Sequence, residues 1–382
     1  MTKTLYYFFL TALIASCSGY AQVKKSSSAL SDPNATPETV VLYNNLKKFA
    51  QKGIMFGHQD DLAYGVNWKY EPGRSDVKDV TGDYPAVYGW DLGGLEKKSD
   101  KNIDGIPFDK MREFIKDARK RGGIVTISWH TDNPLTAKNA WDTTPKTLVS
   151  ILPGGQMHEK FKGWLDEAAK YLNSLKDANG KPIPVLYRPY HELTGNWFWW
   201  CKNNASPEDF KSLWKFTLGY LQSRGVHNLI YVYNTSDFKT REEFLEYYPG
   251  AGWADVLSFD NYQYKDPATD NSFIENCQRQ FGTMDAVAKE QNKLTAFAET
   301  GYEQIPYNKW WTQTLLQAIG NYKISYVLVW RNHGWNEYMN PPRMHYYAPY
   351  KGQSSEKDFV DFYNLSNIFF EKDAAAAKLY TK

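Results

Sequence analysis

Eight short apolar runs alternate along this chain with segments of helical periodicity, and no other feature limits the fold as much. The runs cover residues 54–58, 86–91, 124–130, 185–192, 229–234, 256–262, 294–299 and 324–331. They are rich in Val, Ile, Tyr, Phe and Trp, the residues that favour strands. Most are almost continuously apolar rather than alternating, the pattern of strands buried on both faces in a parallel sheet. Between them lie helical stripes. Phe108, Met111, Phe114, Ile115 and Ala118 recur at 3.6-residue spacing, as do Phe161, Trp164, Leu165, Ala168, Ala169 and Leu172. Ser206-Pro207-Glu208-Asp209 has the form of a helix start, with a capping Ser, Pro in the first turn and acids at the positive end. Further helices are expected over 273–290 and 310–319. Thr36-Pro37-Glu38 opens another that runs to about residue 52, precedes the first strand and is expected to cap the bottom of a barrel.

Eightfold strand–helix alternation implies the α/β class and a single-domain (β/α)₈ barrel. A doubly wound open sheet usually carries a Gly-rich phosphate turn after its first strand, and Gly57-His58-Gln59-Asp60-Asp61 is not one. The 382 residues fit one large barrel with extended loops, and no internal repeat or second-domain boundary is evident. Long connections are expected after strands three, four, six and eight, at the barrel mouth. Ahead of the barrel, Lys3 and the apolar stretch over 5–15 read as an export signal too short to span a bilayer. Ile14-Ala15-Ser16-Cys17 has the form of a lipobox, which would lipidate Cys17 and tether the protein to a membrane leaflet facing periplasm or exterior. Cleavage after Ala21 competes with it. The expected division is therefore 1–21 signal, 22–35 flexible Lys/Ser-rich tether and 36–382 catalytic barrel.

In a barrel of this kind the active site forms where strands end. The strand ends here carry His58, Asp91, Trp129-His130, His191-Glu192, Asn234, Asp260, Tyr262, Glu299 and Trp330-Arg331. A single strand-end Glu more often anchors a loop than catalyses; convergence of so many polar and aromatic groups points to a site. Glu192 closes strand four and Glu299 strand seven, and two facing carboxyl groups are the minimum equipment for cutting a glycosidic bond. Glu192 leads into the apolar, aromatic stretch Leu193-Thr194-Gly195-Asn196-Trp197-Phe198-Trp199-Trp200, where desolvation would keep a proton on it. Glu299 has Tyr262, Arg188 and His191 as candidate partners favouring the ionised form. The residues thus suggest Glu192 as acid/base and Glu299 as nucleophile, roughly 5–5.5 Å apart if configuration is retained.

Other uses of these residues have less support. His58, His130 and His191 with Asp91 or Asp260 lack the spacings of a metal site. No Gly-x-Ser-x-Gly elbow suggests a serine hydrolase. Cys201 and Cys277 are too far apart in sequence to make a disulfide framework, and free thiols are the simpler expectation, with one bridge left open. A net charge of +2 gives no reason to expect nucleic acid as a partner. The 14 Trp and 28 Tyr suit sugar stacking or core packing equally. Trp164 and Trp214, on helix stripes, are assigned to the core, whereas Trp197, Trp199, Trp200, Trp330 and Trp335, at or beyond strand ends, are candidates for stacking. His333 and His345 are expected at the surface or against substrate.

The motifs Leu186-Tyr187-Arg188-Pro189-Tyr190-His191-Glu192, Trp197-Phe198-Trp199-Trp200, Trp129-His130, Ser258-Phe259-Asp260-Asn261-Tyr262, Ala298-Glu299-Thr300-Gly301 and Phe56-Gly57-His58-Gln59 together resemble the β-mannanases of glycoside hydrolase family 26. The likeness runs from about residue 40 to about residue 365. It implies a retaining endo-β-1,4-mannanase acting on mannan, glucomannan or galactomannan; a mechanism of two carboxylates and water calls for no cofactor, and a monomer is the default expectation. It implies Glu192 as acid/base and Glu299 as nucleophile, His191 holding the geometry near the nucleophile, and Tyr262 donating to Glu299. Trp330 would be the platform under the cleaved sugar with His130 beside it, and Trp197 the support on the leaving-group side. His58, Asp91 and Arg188 would contact the glycone side or stand behind the first contacts. An exo-acting, mannobiose-releasing enzyme, a β-xylanase or β-glucanase of the same fold, and a non-catalytic glycan-binding lipoprotein remain the alternatives.

Overall fold

The computed structural model describes Met1 and residues 30–381, so Cys17, Ala21 and most of the expected signal and tether lie outside the described residues. Eight parallel strands form the barrel: β1 Ile54–Gln59, β2 Val87–Asp91, β3 Ile124–Trp129, β4 Val185–Pro189, β5 Leu229–Thr235, β6 Val256–Asp260, β7 Leu294–Thr300 and β8 Tyr326–Val329. Each pairs with the next, and β1 closes on β8 through the register Met55↔Tyr326 to His58↔Val329. The expected barrel is therefore present. The two-residue strand Ile368–Phe369 adds to the lower end of β1.

Two cores hold it. The inner one is made of strand residues pointing into the barrel, among them Met55, Val87, Ile124, Leu186, Ile230, Val256, Ala296 and Leu328. Helix α1, Pro37–Phe49, joins this cluster through Leu42, Tyr43 and Leu46 and so plugs the barrel floor. Its start is capped by Thr36, whose hydroxyl accepts from the Thr39 amide at 3.3 Å. The outer core lies between strands and helices, where Trp164 and Trp214 are both buried as their stripe positions require. Cys201 and Cys277 are free and buried. Among the described residues no helix is long and apolar enough to cross a membrane.

Strands six and eight end short of the expected residues, at Asp260 and Val329, and two further boundaries move for clear physical reasons. Residues 30–35, expected in a flexible tether, are docked on the barrel. Leu30 and Asp32 are buried, Asp32 pairs with His227 at 2.8 Å, and the Ser31 amide donates to Asp255 at 2.6 Å. The anchoring partners lie some 200 residues downstream, which a local reading of a polar stretch cannot see. Strand four, expected to reach residue 192, ends at Pro189, because Tyr190 and Glu192 turn into left-handed backbone at φ 52° and 53°. That conformation breaks the ladder and costs a non-glycine residue on the order of 1–3 kcal/mol, a strain concentrated at functional sites.

Candidate active site

Glu192 and Glu299 reach the mouth by two different backbone devices. The left-handed turn after β4 lifts Glu192 above the strand end. Glu299 rides on a β-bulge in β7: Phe259 pairs with Phe297 and Asp260 with Glu299, leaving Ala298 as the extra residue. Bulges re-aim side chains in this way beside active sites. The result brings oxygens of Glu192, Asp260 and Glu299 within 4.8 Å of one another. This matches the close approach of carboxyl groups in retaining glycosidases rather than the wide gap of roughly 6.5–9.5 Å in inverting ones.

The two glutamates have unlike surroundings. Glu192 is half-buried and its Oε2 accepts from Trp197 Nε1 at 2.6 Å. Burial, then the nearby charge of Glu299, pushes its carboxyl up to about 7, against the pull of Trp197, Arg188 and His130. Glu299 is buried and held at both oxygens. Arg188 Nη2 donates to Oε1, and the Tyr262 hydroxyl donates to Oε2 at 2.9 Å. Arg188 also donates through Nη1 to Asp260 at 2.6 Å. The guanidinium thus lies where a cation would otherwise be needed to hold these acids together, and it keeps its charge because Asp260 and Glu299 outweigh the cost of burial.

Behind the pair runs a line of imidazoles. Asp91 accepts from the Gly93 amide at 2.6 Å, from Ser128 Oγ at 2.7 Å and from His130 Nδ1 at 2.8 Å. Burial opposes charge on His130, but Asp91 outweighs it and the imidazole pKa is raised. His130 Nε2 faces His191 Nε2 at 3.0 Å, so one ring donates to the other. His191 is driven well below the ordinary value by burial and by the charges of His130 and Arg188, which keeps it neutral. His191 therefore meets His130, with no bond to Glu299 among the described contacts.

Other expected site residues fall into two groups. Trp197 and Tyr262 each bond one of the carboxyl groups, and Trp330 meets the His130 ring edge-on at 6.4 Å. Asp91 is fully enclosed and His58 is 1% exposed with Nδ1 bonded to Asp61 at 2.7 Å, so neither can touch a sugar; they act behind the wall. Trp199 and Trp200 are also fully buried, their indoles donating to Thr131 and His191 carbonyls at 3.0 and 2.8 Å. Their aromatic run is a loop core with only Trp197 turned outward. His345 is buried against Glu303, whereas Trp335 is exposed. The sequence reading gave no role to Trp141, 48% exposed and stacked on His130 at 5.4 Å, nor to Asn234 and Asp260 as partners of the carboxylates. Trp141 lies in a loop with no periodicity to mark it, and the strand-end positions of Asn234 and Asp260 do not reveal which groups they meet on neighbouring strands.

On one side of the pair a pocket of about 600 Å³ opens beside Glu192, Trp197, Phe238, Tyr262 and Tyr264. Gly301, at φ 153°, lets the Tyr347 ring pass where a Cβ would sit, and Tyr347 in turn abuts Tyr262 at 5.6 Å. Gly301→Ala is expected to destabilise the fold by about 1–3 kcal/mol through this overpacking, read as a lower denaturation midpoint. An unchanged midpoint would show that Tyr347 moves freely.

A parallel barrel with neighbouring carboxylates on strands four and seven defines the class of barrel glycosidases. Residues 31–349 match the model of glycosyl hydrolase family 26, and the chain belongs to that family. A mannan endo-1,4-β-mannosidase of Bifidobacterium adolescentis is 32% identical over 373 residues, covering 91% of this chain and 36% of that protein. A second, from Caldalkalibacillus mannanilyticus, is 28% identical over 82% of this chain and 60% of its own length. The chain thus spans between about a third and three fifths of these relatives. Among solved structures, a GH26 β-mannanase from Bacteroides ovatus superposes with a TM-score of 0.86 at 43% identity, over 91% of this chain and 98% of that one. The catalytic domain of a GH26 endo-β-1,4-mannanase from Bacillus sp. JAMB-750 superposes at 0.83 with 28% identity, over 94% and 98%.

Proposed function

We propose that this protein is an endo-β-1,4-mannanase that cleaves mannan, glucomannan or galactomannan with retention of configuration. The observation that carries the reading is the unequal pair: a carboxyl raised to about 7 beside one held between a guanidinium and a phenol. In the first step Glu299 attacks the anomeric carbon, the glycosidic bond breaks, and Glu192 gives its proton to the leaving oxygen. In the second, Glu192 takes a proton from water, whose oxygen displaces Glu299. Trp197 binds one oxygen of Glu192 and leaves the other to face the leaving group. Trp330 offers a ring face at the mouth for the sugar being cleaved. The relatives' names and the likeness to solved β-mannanases support mannan as the polymer.

A narrower product pattern has one specific observation behind it. The hairpin of Gly334–Asn336 and Arg343–His345, after β8, meets that of Tyr64–Gly65 and Trp68–Lys69, after β1, around a pocket of about 420 Å³. Tyr64 and His333 approach edge-on at 6.0 Å there. If this wall ends the cleft, the enzyme releases mannobiose from chain ends. Digestion of reduced mannopentaose decides: a spread of product sizes supports internal cleavage, and mannobiose alone supports the exo mode. Release of no product would remove the mannanase reading altogether.

We further propose export with lipidation at Cys17. Intact-mass spectrometry of the protein from its native membrane should find a diacylglyceryl-modified N-terminal Cys. A mature chain beginning at Gln22 would overturn it.

A further inference from the structure

One side chain touches both halves of the catalytic machinery without belonging to either. Asn234, on β5, is buried between β4 and β6. Its Oδ1 accepts from the Glu192 backbone amide at 2.7 Å and from Arg188 Nη1 at 3.3 Å. Its Nδ2 donates to Asp260 Oδ1 at 2.8 Å and to Ser258 Oγ at 2.9 Å. An amide offers two acceptor sites and two donor hydrogens, and here all four are used. Swapping oxygen and nitrogen would set N–H against N–H at both Glu192 and Arg188, so the orientation is fixed by the network itself.

We propose that Asn234 is a positioning residue for catalysis, holding the left-handed backbone of Glu192 and tying it to the Arg188–Asp260 pair that orients Glu299. The Glu192 amide cannot enter a strand ladder, because β4 has already ended at Pro189 and φ is 53°. The Asn234 oxygen gives that buried N–H its partner. Without it the turn loses the bond that sets its height above β4, and the Glu192 carboxyl drifts from the leaving oxygen. Arg188 keeps Asp260 and Glu299 as direct partners, so the nucleophile's half suffers less. The inference rests on the roles proposed above for the two glutamates.

Asn234→Ala is therefore expected to act as a weakened form of an acid/base defect. On mannan, kcat/KM should fall about 100-fold, mainly through kcat. On 2,4-dinitrophenyl β-mannobioside, whose leaving group needs little help from a proton, the loss should be tenfold or less. That residual rate also shows the variant is folded. Azide should not accelerate the variant, because the Glu192 carboxylate is still present to exclude it, whereas azide should accelerate Glu192→Ala. Should the alanine variant fail to fold, Asn234→Ser, which keeps a small polar side chain and adds no charge beside Asp260, carries the same comparison. Equal proportional losses on both substrates, or azide acceleration, would overturn the positioning role. If Glu192→Ala itself shows no preference for the activated substrate, the acid/base assignment fails instead, and the two failures are told apart.

Discussion

Glu299→Ala is expected to lower kcat/KM on mannan by about 10⁴-fold or more, since no glycosyl-enzyme can form without the attacking carboxylate. Binding of manno-oligosaccharides should remain within about tenfold of wild type. Trp330 and Trp197, the proposed sugar contacts, are contributed by other elements, and Arg188 keeps its second partner Asp260 at 2.6 Å. Calorimetry with mannotetraose beside initial-rate measurements separates the two quantities. Turnover near the wild-type rate would sink the assignment of Glu299. Loss of binding in parallel with turnover would show that the residue holds the cleft together rather than reacting.

Glu192→Ala should have a different signature. On mannan the loss is expected to be about 10²–10⁴-fold, the usual contribution of a positioned general acid. On 2,4-dinitrophenyl β-mannobioside formation of the glycosyl-enzyme should be nearly unaffected, and the slow second step should be rescued by azide. The pH dependence follows from the same group. Glu192 must carry its proton in the first step, and its carboxyl is raised to about 7 by burial and by Glu299. The wild-type kcat/KM on mannan should therefore decline as pH rises through about 7, approaching tenfold per pH unit above it. The high-pH decline should vanish for the activated substrate. A decline that stays at the same pH in the Glu192→Ala variant would assign it to another group.

Much of this architecture could be read from residue order alone, for a physical reason. Parallel strands buried on both faces must be almost continuously apolar, and helices covering them must be striped, so the barrel leaves its period in the sequence. The floor helix declared itself through Thr36-Pro37-Glu38. The strand-end rule then brought Glu192, Glu299, His130, Tyr262 and Trp330 to one place, and the structure finds them at one mouth. What stayed hidden depends on tertiary partners. Nothing local in His191-Glu192 announces positive φ, because the turn is stabilised by Asn234 from a strand 42 residues away. Trp199 and Trp200 look like their exposed neighbour Trp197 until the loop closes over His191. Trp141 sits in a loop without periodicity and gains meaning only by stacking on His130. The docking of residues 30–35 needs Asp255 and His227, equally invisible from a Lys/Ser-rich stretch.

The two glutamates also differ in how the one buried guanidinium reaches them. Three carboxyl groups converge beside one guanidinium. The guanidinium is spent on Asp260 and Glu299, both on the floor of the mouth. Glu192, covered by Trp197, has no bond to the guanidinium among the described contacts, and burial and the charge of Glu299 push its carboxyl up to about 7. Asp260 is itself pushed upward by burial, against the pull of Arg188.

Trapping the intermediate tests the central claim most directly. The enzyme is incubated with a 2-deoxy-2-fluoro-β-mannobiosyl fluoride, digested with pepsin and examined by tandem mass spectrometry. The fluorosugar should be found esterified to Glu299, in the peptide spanning Ala298-Glu299-Thr300. Attachment to Glu192 or Asp260, or inactivation without a covalent adduct, would contradict it.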